Sequence, residues 1–211
     1  MILVKRIVFI VLTVSSGIAF SQTEKGTFLL GGTFSYERSV IDYANGLLGN
    51  QNSRVFSMNP NISYFVIPKL AVGLTLPLSR SNFEVENTQF ENKTTTNSYA
   101  FGPQLRYYFN FEKISVFTEI SYAIGRSTTE GPFFSTDLGQ VIDDKQITKI
   151  ERFRLGLGLT YFISKSVGVE LLTTYLTEDF DYDQEFVSDF ENQSIRLELG
   201  LQVYFNRNVD Q

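Results

Sequence analysis

From Ser194 to Phe205 the chain reads SIRLELGLQVYF. The odd positions Ile195, Leu197, Leu199, Leu201, Val203 and Phe205 are all apolar, and Arg196, Glu198, Gly200, Gln202 and Tyr204 alternate between them. A period of two marks a strand with one greasy face. The opposite face sets long ionisable side chains beside a glycine and offers no second hydrophobic layer. A soluble sheet normally buries one face and wets the other. In a narrow transmembrane barrel the greasy face meets lipid and the mixed face lines the lumen, so the pattern has to recur in every strand.

It recurs seven more times. Gly26 to Ser39 places Phe28, Leu30, Phe34 and Tyr36 on one parity, Arg54 to Val66 places Phe56, Met58, Ile62, Tyr64 and Val66, and Leu70 to Ser81 places Leu70, Val72, Leu74, Leu76 and Leu78. Ser98 to Phe109, Ile114 to Arg126, Ile150 to Ile163 and Val167 to Thr177 repeat the alternation. Val40 to Ser53, Asn82 to Asn97, Ser127 to Gln146 and Glu178 to Gln193 are long polar connections, whereas Ile67 to Lys69, Asn110 to Lys113 and Ser164 to Ser166 are short. An even strand number with short turns on one side and long loops on the other is the outer-membrane barrel arrangement. The expected fold is therefore all-β: an eight-stranded antiparallel up-and-down transmembrane β-barrel, with both chain ends on the short-turn side.

A soluble eight-stranded cup would use the same alternation with its greasy face turned inward, and volume decides between the two. An eight-stranded interior is only wide enough to be filled by side chains, and the apolar face here is almost wholly Leu, Ile, Val, Phe and Tyr. Gly31, Gly73, Gly102, Gly125, Gly156, Gly158, Gly168 and Gly200 lie on the other face, where they leave room for arginines and glutamates. On the apolar face Phe34, Tyr36, Phe56, Tyr99, Tyr122, Phe153 and Tyr175 sit toward the long loops, and Tyr64, Tyr107, Phe109, Tyr161 and Phe205 toward the short turns. Phe56 and Tyr64 are separated by roughly 20 Å of tilted strand, near the height of an outer-membrane apolar band. Pro60, Pro77 and Pro103 oppose this regularity, because each removes a ladder hydrogen bond, so bulges or broken pairs are expected there.

The first residues, MILVKRIVFIVLTVSSGIAFSQ, have Lys5 and Arg6 ahead of a short apolar run that ends in small residues. This reads as a cleavable signal over residues 1–21, followed by the barrel at 22–206 and a short tail at 207–211. Losing Lys5 and Arg6 leaves 16 of the 18 basic residues against 23 acidic ones, a net charge near −7 that argues against a nucleic-acid partner. The chain has no cysteine and no histidine. That excludes thiol chemistry and removes the side chain that most readily serves as a base near neutral pH.

The segments NPNISYFVIPKLAVGLTL, YAFGPQLRYYFN, RLGLGLTYFISKSVGVELLTTY and LELGLQVYF, in their order and spacing, resemble the outer-membrane β-barrel domain family in its small, porin-like, eight-stranded form. The resemblance spans essentially the whole mature chain. It implies residence in the outer membrane of a Gram-negative bacterium and contact with outer-membrane lipids, including lipopolysaccharide. It also implies handling by the outer-membrane assembly machinery, whose signal the closing strand resembles.

The candidate site is a lumen charge network of Arg106, Glu119, Arg154, Glu170, Arg196 and Glu198, all on the inward parity. Charges in a narrow lumen have to be paired or hydrated. A plug of salt bridges, a gate that switches partners and an acid/base pair are the three readings, and nothing marks a substrate pocket for the third. Glu178 to Gln193 carries seven acidic residues and no basic one, and reads as a solvated acidic loop; its carboxylates lack the glycine of an EF-hand. No metal, cofactor or catalytic residue is assigned. The expected function is non-enzymatic, an envelope-structural or surface-interaction role with an extracellular partner reached through the long loops. A narrow channel for small solutes is the alternative.

Overall fold

The computed structural model describes residues 21–41, 50–86, 91–135, 140–181 and 190–205. Residues 1–20 of the proposed signal, the proposed tail and the tips of the four long connections lie outside the described residues. Nine strand segments follow a short 3-10 turn at Ser21–Thr23: β1 (Phe28–Ile41), β2 (Asn50–Ile67), β3 (Leu70–Thr75), β4 (Leu78–Glu86), β5 (Glu91–Phe111), β6 (Ile114–Ser135), β7 (Gln140–Phe162), β8 (Val167–Asp181) and β9 (Phe190–Phe205). Every pairing among the described residues is antiparallel, and β1 closes on β9 through Phe28↔Phe205 to Phe34↔Leu199. Segments β3 and β4 both lie between β2 and β5 and form one wall strand, so the ring has eight.

The interruption inside that wall strand falls at Leu76 and Pro77. Prolines there and on both flanking strands each lack the donor a ladder needs, yet they still accept. The Leu76 N–H donates to the Pro60 carbonyl and the Ala100 N–H to the Pro77 carbonyl, each at 2.9 Å. Between β5 and β6 the ladder lapses at Gly102 and Pro103 and resumes in the same register at Gln104↔Ser121. Gly102 is required at that lapse, since a Cβ would collide with the Tyr122 carbonyl oxygen. On the opposite side of the ring, β6 to β9 pair without a break.

The greasy face points out. Leu157, Leu171 and Leu199 are 60%, 45% and 48% exposed, whereas Glu170 and Glu198 are 0% and 2% exposed and Gly158 is buried. The girdle aromatics named above are all exposed on the outer wall. No helix among the described residues is long and apolar enough to cross a membrane.

The strands run well past the positions that periodicity marks. Ser127 to Gln146 was expected to be a loop, yet β6 and β7 pair continuously from Ile114↔Tyr161 to Ser135↔Gln140. Beyond Tyr122 this hairpin rises roughly 30 Å at the usual strand rise and barrel tilt. The physical reason is that the hydrophobic alternation stops where lipid stops. A sheet in water on its outer side can carry polar residues on both faces, and its pairing leaves no mark on hydropathy.

The lumen at the short-turn end corrects a second expectation, that the inward face lacks a hydrophobic layer. Phe117, Tyr108, Phe65, Tyr204 and Phe162 form a chain of rings across it, with centroids of successive pairs 5.2, 5.4, 6.5 and 5.3 Å apart. Leu29, Ala71 and Leu172 complete the cluster. Each strand of the ring supplies one of these eight residues, so no single strand displays the layer. The N-terminal turn closes the mouth below, where Asn110 Nδ2 donates to Thr23 Oγ1 at 2.6 Å and the Lys69 N–H donates to the Thr23 carbonyl at 2.8 Å.

Because the outer wall meets hydrocarbon, the cost of a charge there depends on depth. Leu157→Arg is expected to destabilise the barrel by about 2–4 kcal/mol, and Tyr36→Arg, at the outer girdle, by about 0–1 kcal/mol. Urea unfolding from lipid vesicles measures both, and equal costs would place this face in water.

Candidate functional site

The inward residues of β5 to β9 are arranged by cross-strand complementarity of size. Glu119 on β6 stands opposite Gly156 on β7, and Glu170 on β8 opposite Gly200 on β9. A Cβ on Gly156 would lie 3.4 Å from the Glu119 Cβ, and one on Gly200 3.2 Å from the Glu170 Cβ. Phe117 faces Gly158 in the same way, its ring occupying the space a side chain would take. Each of these three large inward groups thus leans over a glycine on the next strand, which lets long side chains reach the axis of a narrow barrel.

Above the aromatic floor the charges form two tiers. In the lower tier, Arg106 Nε donates to Glu119 Oε2 at 2.8 Å and Nη1 to Glu170 Oε2 at 3.0 Å. The Arg106 guanidinium lies 4.8 Å over the Phe117 ring, a cation–π contact that ties the tier to the floor. Thr160 Oγ1 and Gln202 Nε2 donate to the two Glu170 oxygens at 3.1 and 3.0 Å. Arg154 Nη2 donates to Glu198 Oε1 at 2.7 Å, and its Nη1 lies 3.7 Å from Glu119 Oε1. Glu198 also accepts from Thr174, Asn59 and Thr33, so strands from both sides of the β1–β9 closure meet on one carboxylate.

In the upper tier, Arg152 Nε lies 2.6 Å from Glu178 Oε1, and Nη2 donates to Ser98 Oγ at 2.7 Å and to Ser79 Oγ at 3.2 Å. Arg196 shares Glu178 at 3.6 Å and meets Glu37 at the rim at 3.0 Å. Beyond lies a vestibule of about 280 Å³ lined by hydroxyl groups and Phe180. It narrows to a space of about 10 Å³ beside Asn59, Arg152, Arg154, Arg196 and Glu198. That is room for about one water.

Of the sequence-predicted residues, Arg106, Glu119, Arg154, Glu170 and Glu198 make one connected network, whereas Arg196 sits in the tier above. Arg152 and Glu178 were missed as members. Glu178 was assigned to a solvated acidic loop, but it is 5% exposed inside the lumen, held by two arginines. The signal was present, because Glu170, Leu172, Thr174, Leu176 and Glu178 continue one inward parity along β8. Positions 182–189, with the rest of that acidic run, lie outside the described residues.

Four arginines face four glutamates in the two tiers, so the column is formally neutral. The lower tier alone has two arginines for three glutamates, and the upper tier two arginines for Glu178. Removing a positive charge below therefore costs more than removing a negative one. Arg106→Leu, which strands Glu119 and Glu170, is expected to cost about 3–5 kcal/mol. Glu170→Gln, which neutralises the tier and still accepts from Arg106, is expected to cost about 1–2 kcal/mol. Urea midpoints in lipid vesicles measure the asymmetry, and the reverse order would contradict it.

No protein-family model matches the chain, and no curated protein matches it. Among solved structures it is similar to Neisserial surface protein A, with 12% identity over 86% of this chain and 98% of that one, at a TM-score of 0.44. It is similar also to the outer membrane protein OprG from Pseudomonas aeruginosa, with 12% identity over 88% and 99% of the two chains, at a TM-score of 0.44. The attachment invasion locus protein of Yersinia pestis aligns at 15% identity over 86% and 99%, with a TM-score of 0.38. By its own closed ring, apolar exterior and filled lumen, the chain is a small eight-stranded up-and-down transmembrane β-barrel of the outer-membrane type.

Proposed function

We propose that this chain is a non-enzymatic integral protein of a Gram-negative outer membrane, delivered by a cleaved signal at residues 1–21. In this reading it contributes to envelope structure and presents its tall hairpins to the surroundings. The observation that carries the reading is the filling of the lumen. Arg106, Glu119 and Glu170 are each at most 1% exposed, directly above a floor of packed rings. A path for solutes would require separating ion pairs that lie 2.8–3.0 Å apart in a water-poor interior, at a cost of several kcal/mol. The β6–β7 hairpin, standing far above the outer girdle, supplies a surface for contact with extracellular partners. The absence of histidine and the pairing of every lumen carboxylate support a role without catalysis.

One observation favours a second reading, a gated narrow channel. Glu119 lies between Arg106 and Arg154, and Glu178 between Arg152 and Arg196, so each carboxylate has an alternative partner within reach. Planar-bilayer recording separates the two. The structural reading expects no steady conductance from the wild-type chain or from Glu119→Gln. Steady channels whose conductance changes in Glu119→Gln would replace it with the channel.

A further inference from the structure

On the outer wall, at or beyond the long-loop girdle, arginines stand on β1, β2, β4 and β6. Arg38 follows Tyr36 on β1, Arg54 precedes Phe56 on β2, Arg80 follows Leu78 on β4, and Arg126 follows Ile124 on β6. All four are exposed. On the rest of the ring the outward parity above the girdle carries Lys149 and Glu151 on β7, Asp179 and Asp181 on β8 and Glu191 on β9, with Lys149 3.9 Å from Asp181.

The register sets like charges against each other. Arg38 is directly opposite Arg54 across the β1–β2 ladder, and Arg126 directly opposite Lys149 across β6–β7. Like charges in facing positions destabilise a sheet. Among the described residues, Arg38, Arg80 and Arg126 make no ion pair, and Arg54 reaches only Glu84, at 3.8 Å. That carboxylate is engaged elsewhere. Lys93 lies 3.0 Å from Glu84, and its hydrogen bond and charge hold the carboxyl below its ordinary range. The arc is therefore short of negative charge, at the height where a lipid headgroup would lie.

Directly toward the membrane from Arg80 the wall carries a groove of about 310 Å³, lined by Phe56, Met58, Leu78 and Tyr99 with Arg80 and Asn97 at its upper end. It opens just beyond the break in pairing at Leu76 and Pro77. An apolar groove opening to hydrocarbon fits an acyl chain, and guanidinium groups above it fit a phosphate, which they grip bidentately. We propose that this groove and the arc Arg38–Arg54–Arg80 form a seat for one phosphorylated, acylated lipid of the outer leaflet, of the lipid A kind. The inference rests on the outer-membrane reading and adds to it a defined site. The bound phosphate supplies the negative charge that the facing arginines lack, and the chain fills the dent left by the interrupted strand.

The test uses the folded chain in phosphatidylcholine vesicles doped with diphosphoryl lipid A, followed by native mass spectrometry after gentle detergent release. One lipid A is expected to remain per protein. The triple variant Arg38→Gln, Arg54→Gln, Arg80→Gln is expected to lose retention on the order of a hundredfold, at about fivefold for each basic side chain near an anionic surface. Leu78→Trp, which fills the groove and keeps every arginine, is expected to lose retention as well, and Lys145→Gln on β7 is expected to leave it unchanged. Undiminished retention in the triple variant, or equal retention of lipid A stripped of its phosphates, overturns the site. Heat-modified electrophoretic mobility in detergent is read on the same samples. If it is present alongside undiminished retention in the triple variant, the lipid seat fails alone. If it is absent from the wild-type chain, the barrel reading fails and takes the seat with it.

Discussion

Hydrocarbon offers no partner to a peptide N–H or C=O, and that deficit governs this protein. Every backbone group at membrane depth has to be satisfied by a neighbouring strand, so the sheet has to close. Here closure is made by seven residue pairs between β1 and β9. Once it is made, the two faces of each strand acquire opposite solvents, lipid outside and a narrow interior within. The orientation of the leucines and the confinement of arginines and glutamates both follow from it.

The interior is then a packing problem in which charge is the filler. An eight-stranded ring leaves space only for side chains, and this chain fills it with rings at the short-turn end and ion pairs above. The two materials are joined by Arg106, which stacks on Phe117 while holding Glu119 and Glu170. Glycines opposite Glu119, Glu170 and Phe117 make the arrangement sterically feasible. Burying so many charges is tolerable because the numbers of each sign match and threonine, asparagine and glutamine side chains donate to the carboxylates of Glu170 and Glu198. Such a network is weak as a source of stability but strong as a specifier of register, since a one-residue slip would send every charge into lipid.

The wall is not uniform. Prolines on three neighbouring strands weaken the ladder from β2 to β6, while β6 to β9 pair without interruption and the β6–β7 hairpin among them reaches furthest above the membrane. The weakened half carries the outer groove and the arginine arc, and the regular half carries the tall hairpin and the acidic rows. The barrel thus has two sides of different character above a wall that is apolar all round.

Much of this was legible in the chain itself. The period of two from Ile195 to Phe205, repeated in seven other segments, determined the strands, their even number, their inward and outward residues and the short-turn side on which both ends lie. The prolines announced where pairing would fail. The heights of the hairpins were not legible, because pairing above the membrane leaves no hydropathic trace. Nor were the identities of the charge partners. Arg106 and Glu119 share a hairpin and could be matched by position, but Arg154 meets Glu198 over an intervening strand, and Glu198 meets Thr33 across the seam where the ring closes. Alternation is a property of one strand and its solvent, and so it can be read locally. Which inward groups touch depends on radius, tilt and closure, quantities that exist only when all eight strands are in place.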